Sequence, residues 1–240
     1  MLIADGCPLD TFPCHPQSWQ QPMPRTFQLL CLALLSVPFA FSQAQDQPVI
    51  TFTLDFPGSQ PEHYSLRVQS DGSAHYESTG RLSPDSDETD SFELDFTASP
   101  ATRERIFQLA AKADYFQKDL DSHHKNIAFT GKKTLSYKDG KRSGESTYNY
   151  SSQPPVQELT NLFQDLSATL ECGRRLHYDL RYQKLALEEE LKRMEEMART
   201  SPPVELTAIA PLLQQIIGDS TVLNVTRARA QRLLEHAGIH

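Results

Sequence analysis

The chain has 240 residues, of which 38% are hydrophobic and 22% are charged, and its net charge is −8 at pH 7. This composition is typical of a globular protein and argues against disorder as the dominant state. The acidic balance disfavours a general nucleic-acid-binding protein, because such a protein needs a basic surface to release counterions.

The N-terminal region has the pattern of a secretory signal peptide. An apolar run, Phe27 to Phe41, follows Arg25 and precedes the small-residue sequence Ser42-Gln43-Ala44. The run is shorter than the roughly 20 residues that a membrane-spanning helix needs. We therefore expect residues 1–44 to be a signal peptide cleaved after Ala44, with no stable membrane span afterwards. An uncleaved anchor is the alternative.

The first 22 residues do not suit the start of a signal peptide, because they carry Asp5 and Asp10 but no Lys or Arg. Met23 is the expected true start, since Arg25 then supplies the positive charge near the N-terminus. Removal of residues 1–44 leaves Cys172 as the single cysteine. The mature domain must then be stabilised by its core without an intramolecular disulfide.

Residues 45–155 contain several short segments in which apolar and polar side chains alternate. Val49–Phe56, Tyr64–Gln69 and Ser91–Thr97 each place alternate apolar residues on one face, which predicts half-buried strands. Asp-Gly pairs at 71–72 and 139–140 predict two β-hairpins.

A helix is predicted from Ser99-Pro100 to about Tyr115, because serine caps helices and proline suits the first helical position. Its apolar stripe would cover the sheet. Residues 45–155 are therefore expected to form an antiparallel sheet of about five to six strands covered by a helix.

Residues 156–240 have a helical period. Apolar side chains recur at alternating spacings of four and three from Leu159 to Ala198, with interruptions at Gly173, His177 and Lys184. This heptad pattern predicts one long helix, bent at Gly173 and suited to a coiled coil. Two further helices, around 206–218 and 220–238, should fold back and bury the seam from Leu180 to Ala198. The predicted class is α+β, with a C-terminal helical bundle packing on the sheet.

Two polar loops resemble metal sites at first sight. The first contains Asp119, Asp121, His123 and His124, and the second contains Asp85, Asp87, Glu88 and Asp90. A solvated loop is favoured for the first, because adjacent histidines seldom point at one ion. The second has Asp90 where a calcium loop has glycine and Phe96 where it has glutamate, so a charged turn is favoured.

No nucleophile elbow, zinc-helix motif or glycine-rich phosphate loop is present in the sequence. Cys172 is expected to be a structural thiol, and His177 a packed, hydrogen-bonded residue of the seam. We predict no catalytic, cofactor or metal site. Three tyrosines of the second hairpin, Tyr137, Tyr148 and Tyr150, are candidates for a binding face, although core packing explains them equally well.

The first hairpin, YSLRVQSDGSAHYE at Tyr64–Glu77, resembles the opening hairpin of exported bacterial domains of unknown function. In that family the hairpin leads to a helix that ends near an Asp-Tyr-Phe sequence, and then to a second hairpin and a closing helix. The chain has the corresponding Asp114-Tyr115-Phe116, Leu135–Tyr148 and Leu159–Leu170. The resemblance covers about residues 49–170 and implies a bacterial envelope setting without an assigned activity.

These patterns favour a non-catalytic envelope module that binds a protein partner through its sheet or its helical region. One alternative is an enzyme whose site is assembled from distant residues such as His63, His75, Asp121 and His123. Another is a structural protein that self-associates through the helical seam.

Cleavage after Ala44 predicts a simple optical property. Trp19 is the only tryptophan, so the mature protein should show tyrosine emission but no tryptophan emission. The measurement is a fluorescence spectrum of protein purified from the native host, with intact mass as the control. Tryptophan emission from that protein would contradict the expected processing.

Overall fold

The computed structural model describes residues 47–81, 89–200 and 203–239. Within them lie six strands: β1 (Val49–Asp55), β2 (His63–Gln69), β3 (Ser73–Arg81), β4 (Thr89–Thr97), β5 (Lys132–Lys138) and β6 (Ser143–Tyr148). They form one sheet in the order β4-β3-β2-β1-β5-β6, and every neighbouring pair is antiparallel. The predicted α+β class is confirmed.

The strands form where alternation lets one face of the sheet become buried. In β1, Ile50 and Phe52 are fully buried, whereas Thr51 and Thr53 on the other face are half-buried. Both predicted hairpins are present. Gly72 closes the β2–β3 turn with φ of +96°, a conformation that favours glycine.

The helices are α1 (Pro100–Lys112), α2 (Pro154–Tyr182), α3 (Leu187–Thr200), α4 (Ala210–Gly218) and α5 (Asn224–His236). As predicted, Ser99 caps α1, and its hydroxyl accepts a hydrogen bond from the Thr102 amide at 3.3 Å. The helix ends before Tyr115, because Asp114, Tyr115 and Phe116 all adopt a left-handed backbone conformation. The Asp-Tyr-Phe sequence is thus a tight turn after the helix.

Helix α2 packs across the apolar face of the sheet. The ring of Phe163 stacks on Phe52 of β1, with centroids 5.1 Å apart. Towards one edge of the sheet, the Tyr148 hydroxyl lies 2.5 Å from Thr160 Oγ1, and towards the other the Tyr76 hydroxyl lies 3.0 Å from Ser167 Oγ. The helix therefore crosses the sheet from β6 to β3.

The prediction of one long helix bent at Gly173 is wrong. Gly173 lies inside α2, where a Cβ atom would come within 2.5 Å of Ile209 Cγ2, so its role is close packing. The helix ends at Tyr182, and α3 begins at Leu187. The intervening turn is held from outside the helix, because Lys184 Nζ lies 2.6 Å from both Asp219 Oδ2 and Thr221 Oγ1. The heptad seam is consequently divided between two helices.

The C-terminal helices bury the second half of the seam. Leu187, Leu191 and Met194 of α3 are at most 1% exposed. Across the α3–α5 contact, Arg229 Nε lies 2.8 Å from Glu188 Oε1, and the same guanidinium also pairs with Glu195. This packing agrees with the expectation that the two C-terminal helices fold back on the seam.

Two expectations fall outside the described residues. The signal peptide at residues 1–44 is one, and residues 85–88 of the acidic turn are the other. Among the residues that are described, no helix is long and apolar enough to cross a membrane.

The contact between β6 and the turn after α1 generates a stability prediction. A Cβ atom at Gly144 would overlap the carbonyl oxygen of Tyr115 and lie 3.1 Å from the Phe116 carbonyl carbon. Gly144→Ala should therefore lower the free energy of unfolding by about 1–3 kcal/mol, because backbone must move. The measurement is denaturant-induced unfolding followed by circular dichroism.

Gly218→Ala is the matched control. A Cβ atom at Gly218 would meet nothing within 4 Å, and this residue is the last of α4. Alanine there should leave stability unchanged or raise it slightly. Equal effects of the two substitutions would contradict the proposed overlap at Gly144.

Candidate functional site

The outermost strand β4 is the least covered part of the sheet. None of its nine residues, all of which are described, is buried. Phe92, Leu94 and Phe96 point to the apolar face, as predicted, yet they are only half-buried. We call this strand the β4 edge. An apolar row that its own chain leaves half-uncovered is a surface suited to a partner.

The β4 edge is also regular. Its nine residues pair with β3 in unbroken register from Ser73↔Thr97 to Arg81↔Thr89, so residues 89–97 contain no bulge. They contain no proline and no lysine either. Bulges, proline and charged side chains are devices that prevent an exposed edge from pairing with another strand, and β4 has only the last of these, in Asp90, Glu93 and Asp95. β4 ends the sheet, so the backbone groups on its outer side pair with no other strand among the described residues.

The opposite face of the β4 edge is acidic. Glu93 lies directly across from Glu77 of β3, and such a like-charged pair is unfavourable on its own. Asp95 is paired with His75, whose Nδ1 lies 2.7 Å from the aspartate Oδ1. A strand carrying basic side chains would relieve the repulsion at Glu77 and Glu93.

The other end of the sheet is packed differently. The segment after α1 lies against β6, where the Leu120 amide donates to Ser146 Oγ at 3.0 Å. Just after the strand, the backbone amide of Asn149 donates to Asp121 Oδ2 at 2.7 Å. Ser146 and Tyr148 of β6 are buried. The two ends of the sheet therefore differ in how far their own chain covers them.

A buried polar cluster joins α2 to β3. It consists of Tyr76, Ser78, Glu171 and Arg174, and we call it the Glu171 cluster. Glu171 Oε1 accepts from the Tyr76 hydroxyl at 2.9 Å and from Ser78 Oγ at 2.6 Å, while Oε2 accepts from Arg174 Nε at 2.9 Å. Burial, reinforced by the Glu171 charge, raises the pKa of Tyr76.

The Glu171 cluster anchors the helix. Glu171 is 3% exposed and Arg174 6%, and the Arg174 guanidinium also donates to the Arg81 carbonyl at 3.0 Å. Each of the four side chains hydrogen-bonds to another member of the cluster, although Arg174 Nη1 has no partner among the described residues. Sequence reasoning missed it. The available signal was a charged Glu171–Arg174 pair on an otherwise apolar stretch of α2.

The loop with Asp119, Asp121, His123 and His124, for which the sequence favours a solvated loop over a metal site, forms a turn held by its own side chains. His123 Nε2 lies 2.7 Å from Asp119 Oδ2, and the His123 amide donates to Asp121 Oδ1 at 2.6 Å. The hydrogen bond that His123 donates to Asp119 raises the pKa of His123, and hydrogen bonds lower the pKa of both aspartates. His124 is exposed. Among the described residues, no group of three His, Cys, Asp or Glu is arranged to hold a metal ion.

The alternative of an enzyme with a site assembled from distant residues needs His63, His75 and His123 to converge. They lie apart, and each pairs with a different aspartate. His63 Nδ1 lies 2.6 Å from Asp55 Oδ1 on the neighbouring strand, and His75 pairs with Asp95. His123 and Asp121 lie in the segment between α1 and β5, where Asp121 accepts a hydrogen bond from the Asn149 backbone amide just after β6, at the other end of the sheet. The structure does not bring these residues together at one centre.

Cys172 is buried at 1% exposure, and burial raises the pKa of its thiol to about 12. A thiol in that environment is a poor nucleophile at neutral pH, in agreement with a structural role. The prediction for His177 is wrong, because this side chain is exposed while the neighbouring Leu176 is buried. At this point of α2 it is Leu176 that faces the core.

The three candidate tyrosines separate into two kinds. Tyr137 and Tyr148 are each 3% exposed and belong to the core. For these two residues, core packing is therefore the explanation, not a binding face. Tyr150 lies after β6 and is 40% exposed. Only Tyr150 offers a ring to a binding partner.

No family model and no curated protein matches the amino-acid sequence. The likeness of the first hairpin to exported bacterial domains therefore stays a prediction.

The Glu171 cluster generates the second stability prediction. Glu171→Ala should lower the free energy of unfolding by about 3–5 kcal/mol, because it leaves Arg174 charged and uncompensated in the core. Glu158→Ala on the same helix removes a solvent-exposed pair with Arg105 and should cost below about 1 kcal/mol. Urea unfolding of both variants measures the difference. A similar small loss in both would show that the cluster does not anchor α2.

Proposed function

We propose that this chain is an exported, non-catalytic binding module of the bacterial envelope, and that it binds a protein partner by adding a strand to the β4 edge. The observation that carries the proposal is the half-exposed row of Phe92, Leu94 and Phe96 on a regular outer strand. The N-terminal signal pattern supports export.

The partner segment can be specified by the two faces of β4. A strand that pairs with β4 places alternate residues on opposite faces. Residues on one face would cover Phe92, Leu94 and Phe96, and should be apolar. Residues on the other face would lie beside Glu93 and Asp95, and should be basic. We therefore propose an extended segment that alternates apolar with Lys or Arg residues.

The two alternatives have less support. Self-association through the helical seam requires an accessible seam, yet Leu187, Leu191 and Met194 are buried within the chain. An assembled catalytic site requires convergent polar groups, yet His63, His75 and His123 are each engaged with a different aspartate.

The test uses a fluorescein-labelled peptide of alternating Lys and Val residues, matched to β4 in length. We expect saturable binding to the protein by fluorescence anisotropy, with shifts of the β4 amide signals in NMR spectra. Glu93→Lys/Asp95→Lys should weaken binding by on the order of tenfold, because the attraction becomes repulsion.

The control variant is Glu145→Lys/Glu235→Lys, which changes the net charge equally on exposed residues of β6 and α5. It should bind the peptide as the unaltered protein does. A peptide with Glu in place of Lys should bind more weakly. Absence of binding, or equal weakening by both variants, would count against the β4 edge as the site.

A further inference from the structure

A cavity of about 330 Å³ lies between the end of the β5–β6 hairpin and the first turns of α2. It is on the far side of the sheet from the β4 edge. We call it the Lys133 cavity. The residues that line it are one lysine, four with amide side chains and five with hydroxyl groups, so its described lining contains no carboxylate and no aliphatic side chain. Its size falls near the lower end of the range for ligand pockets, about 300–1,000 Å³.

Lys133 supplies a charge that has no carboxylate partner among the described residues. The side chain is 5% exposed, and its Nζ lies within 3.2 Å of four oxygens. They are the Thr130 carbonyl at 3.0 Å, Thr130 Oγ1 at 2.9 Å, the Gly131 carbonyl at 3.2 Å and the Asn149 carbonyl at 2.9 Å. An ammonium group has three hydrogens, so all of its donors are engaged. Burial lowers the pKa of this amine.

Several polar groups at the cavity remain available. The side-chain amides of Asn161, which is exposed, and Gln164, which is half-buried, lie one turn apart on α2 and make no hydrogen bond to another described residue. Gln157 Nε2 donates to the Tyr150 hydroxyl at 2.7 Å, which leaves the tyrosine hydrogen free. The Tyr148 hydroxyl, in contrast, is used. Thr160 Oγ1 donates to the Val156 carbonyl at 2.7 Å, so Tyr148 must be the donor in its hydrogen bond with Thr160.

These groups discriminate between classes of ligand. A cation would meet the Lys133 charge without a carboxylate to offset it. An anion would find no free ammonium or guanidinium donor, because the hydrogens of Lys133 are engaged. A purely apolar ligand would cover the half-buried amide of Gln164 and offer it no hydrogen bond. A neutral ligand with several hydroxyl groups matches the amides of Asn161 and Gln164, since amides and hydroxyls both donate and accept.

We propose that the Lys133 cavity is a binding site for a neutral saccharide. The amides of Asn161 and Gln164 hydrogen-bond to sugar hydroxyls, and the exposed ring of Tyr150 packs against the carbon face of the sugar ring. This site is independent of strand addition at the β4 edge.

The experiment is saturation-transfer difference NMR of the protein with glucose, galactose, mannose and N-acetylglucosamine, each tested separately. Acetate and tetramethylammonium serve as the anionic and cationic comparisons. We expect saturation transfer to at least one sugar and to neither ion. Asn161→Ala/Gln164→Ala should weaken that binding by on the order of tenfold, because two hydrogen-bonding side chains are lost.

Gln183→Ala is the matched control, because Gln183 is an exposed amide residue just beyond the end of α2 and away from the cavity. It should leave sugar binding unchanged. Tyr150→Phe, which removes only a hydroxyl, gives a second variant if the double substitution impairs folding, and it should also weaken binding.

Three results would overturn the proposal: no transfer to any of the four sugars, preferential binding of acetate or tetramethylammonium, or sugar binding that survives in both cavity variants. Binding of the Lys-Val peptide should be the same in all of these proteins. Failure of the saccharide proposal can therefore be distinguished from failure of the proposed strand addition at the β4 edge.

Discussion

The packing of α2 across the sheet is the contact on which the rest of the structure depends. Three interactions mark its path: Thr160 with Tyr148 on β6, Phe163 with Phe52 on β1, and Glu171 with Tyr76 on β3. A helix rises about 1.5 Å per residue, so a single straight helix can cover most of the sheet's width. It reaches β3 through Glu171 and Arg174 but does not bury β4. The half-exposed state of Phe92, Leu94 and Phe96 follows from where this path ends.

The same path explains the cavity at the opposite end. There α2 begins, and its first turns present amide residues to the hairpin where apolar contacts would otherwise close the gap. The polar side chains at the two ends of the contact between α2 and the sheet also differ in their hydrogen bonding. Glu171 has all its oxygens satisfied in the core, whereas Asn161 and Gln164 have groups to spare. Polar groups buried in a core are normally hydrogen-bonded within the protein, whereas a ligand site presents a small number of polar groups to the ligand.

Much of the fold follows from the sequence because burial of one face imposes a period. The alternation in Val49–Phe56 and the Asp-Gly turns predicted the strands and hairpins, and Ser99 predicted the start of α1. The break after Tyr182 could not be read in this way, since it is fixed by Lys184 reaching Asp219, distant in sequence. Local periodicity contains no information about such a contact.

The candidate sites were harder to predict for a related reason. Alternation places Phe92, Leu94 and Phe96 on the inner face, but their incomplete coverage depends on the length and direction of α2. Lys133 did carry a signal. It shares its inward position with Leu135 and Tyr137, two and four residues later, so the alternation itself predicts burial. Lysine is usually exposed because of its charge, so the alternation that predicts burial of Lys133 is easily overlooked.

An open edge strand can pair with the same strand of a second copy. The acidic side chains of the β4 edge oppose such pairing. In a two-fold antiparallel pairing centred on β4, Glu93 of one copy would lie opposite Glu93 of the second. Ser91 would lie opposite Asp95, and the Glu77–Glu93 repulsion already present would be increased. Phe92 and Leu94 would gain contacts, but at the cost of bringing several carboxylates together at a partly dehydrated surface. A basic partner strand gains the same apolar contacts and removes the repulsion. The charges on β4 thus select against the chain's own edge while leaving it available to a segment of opposite charge.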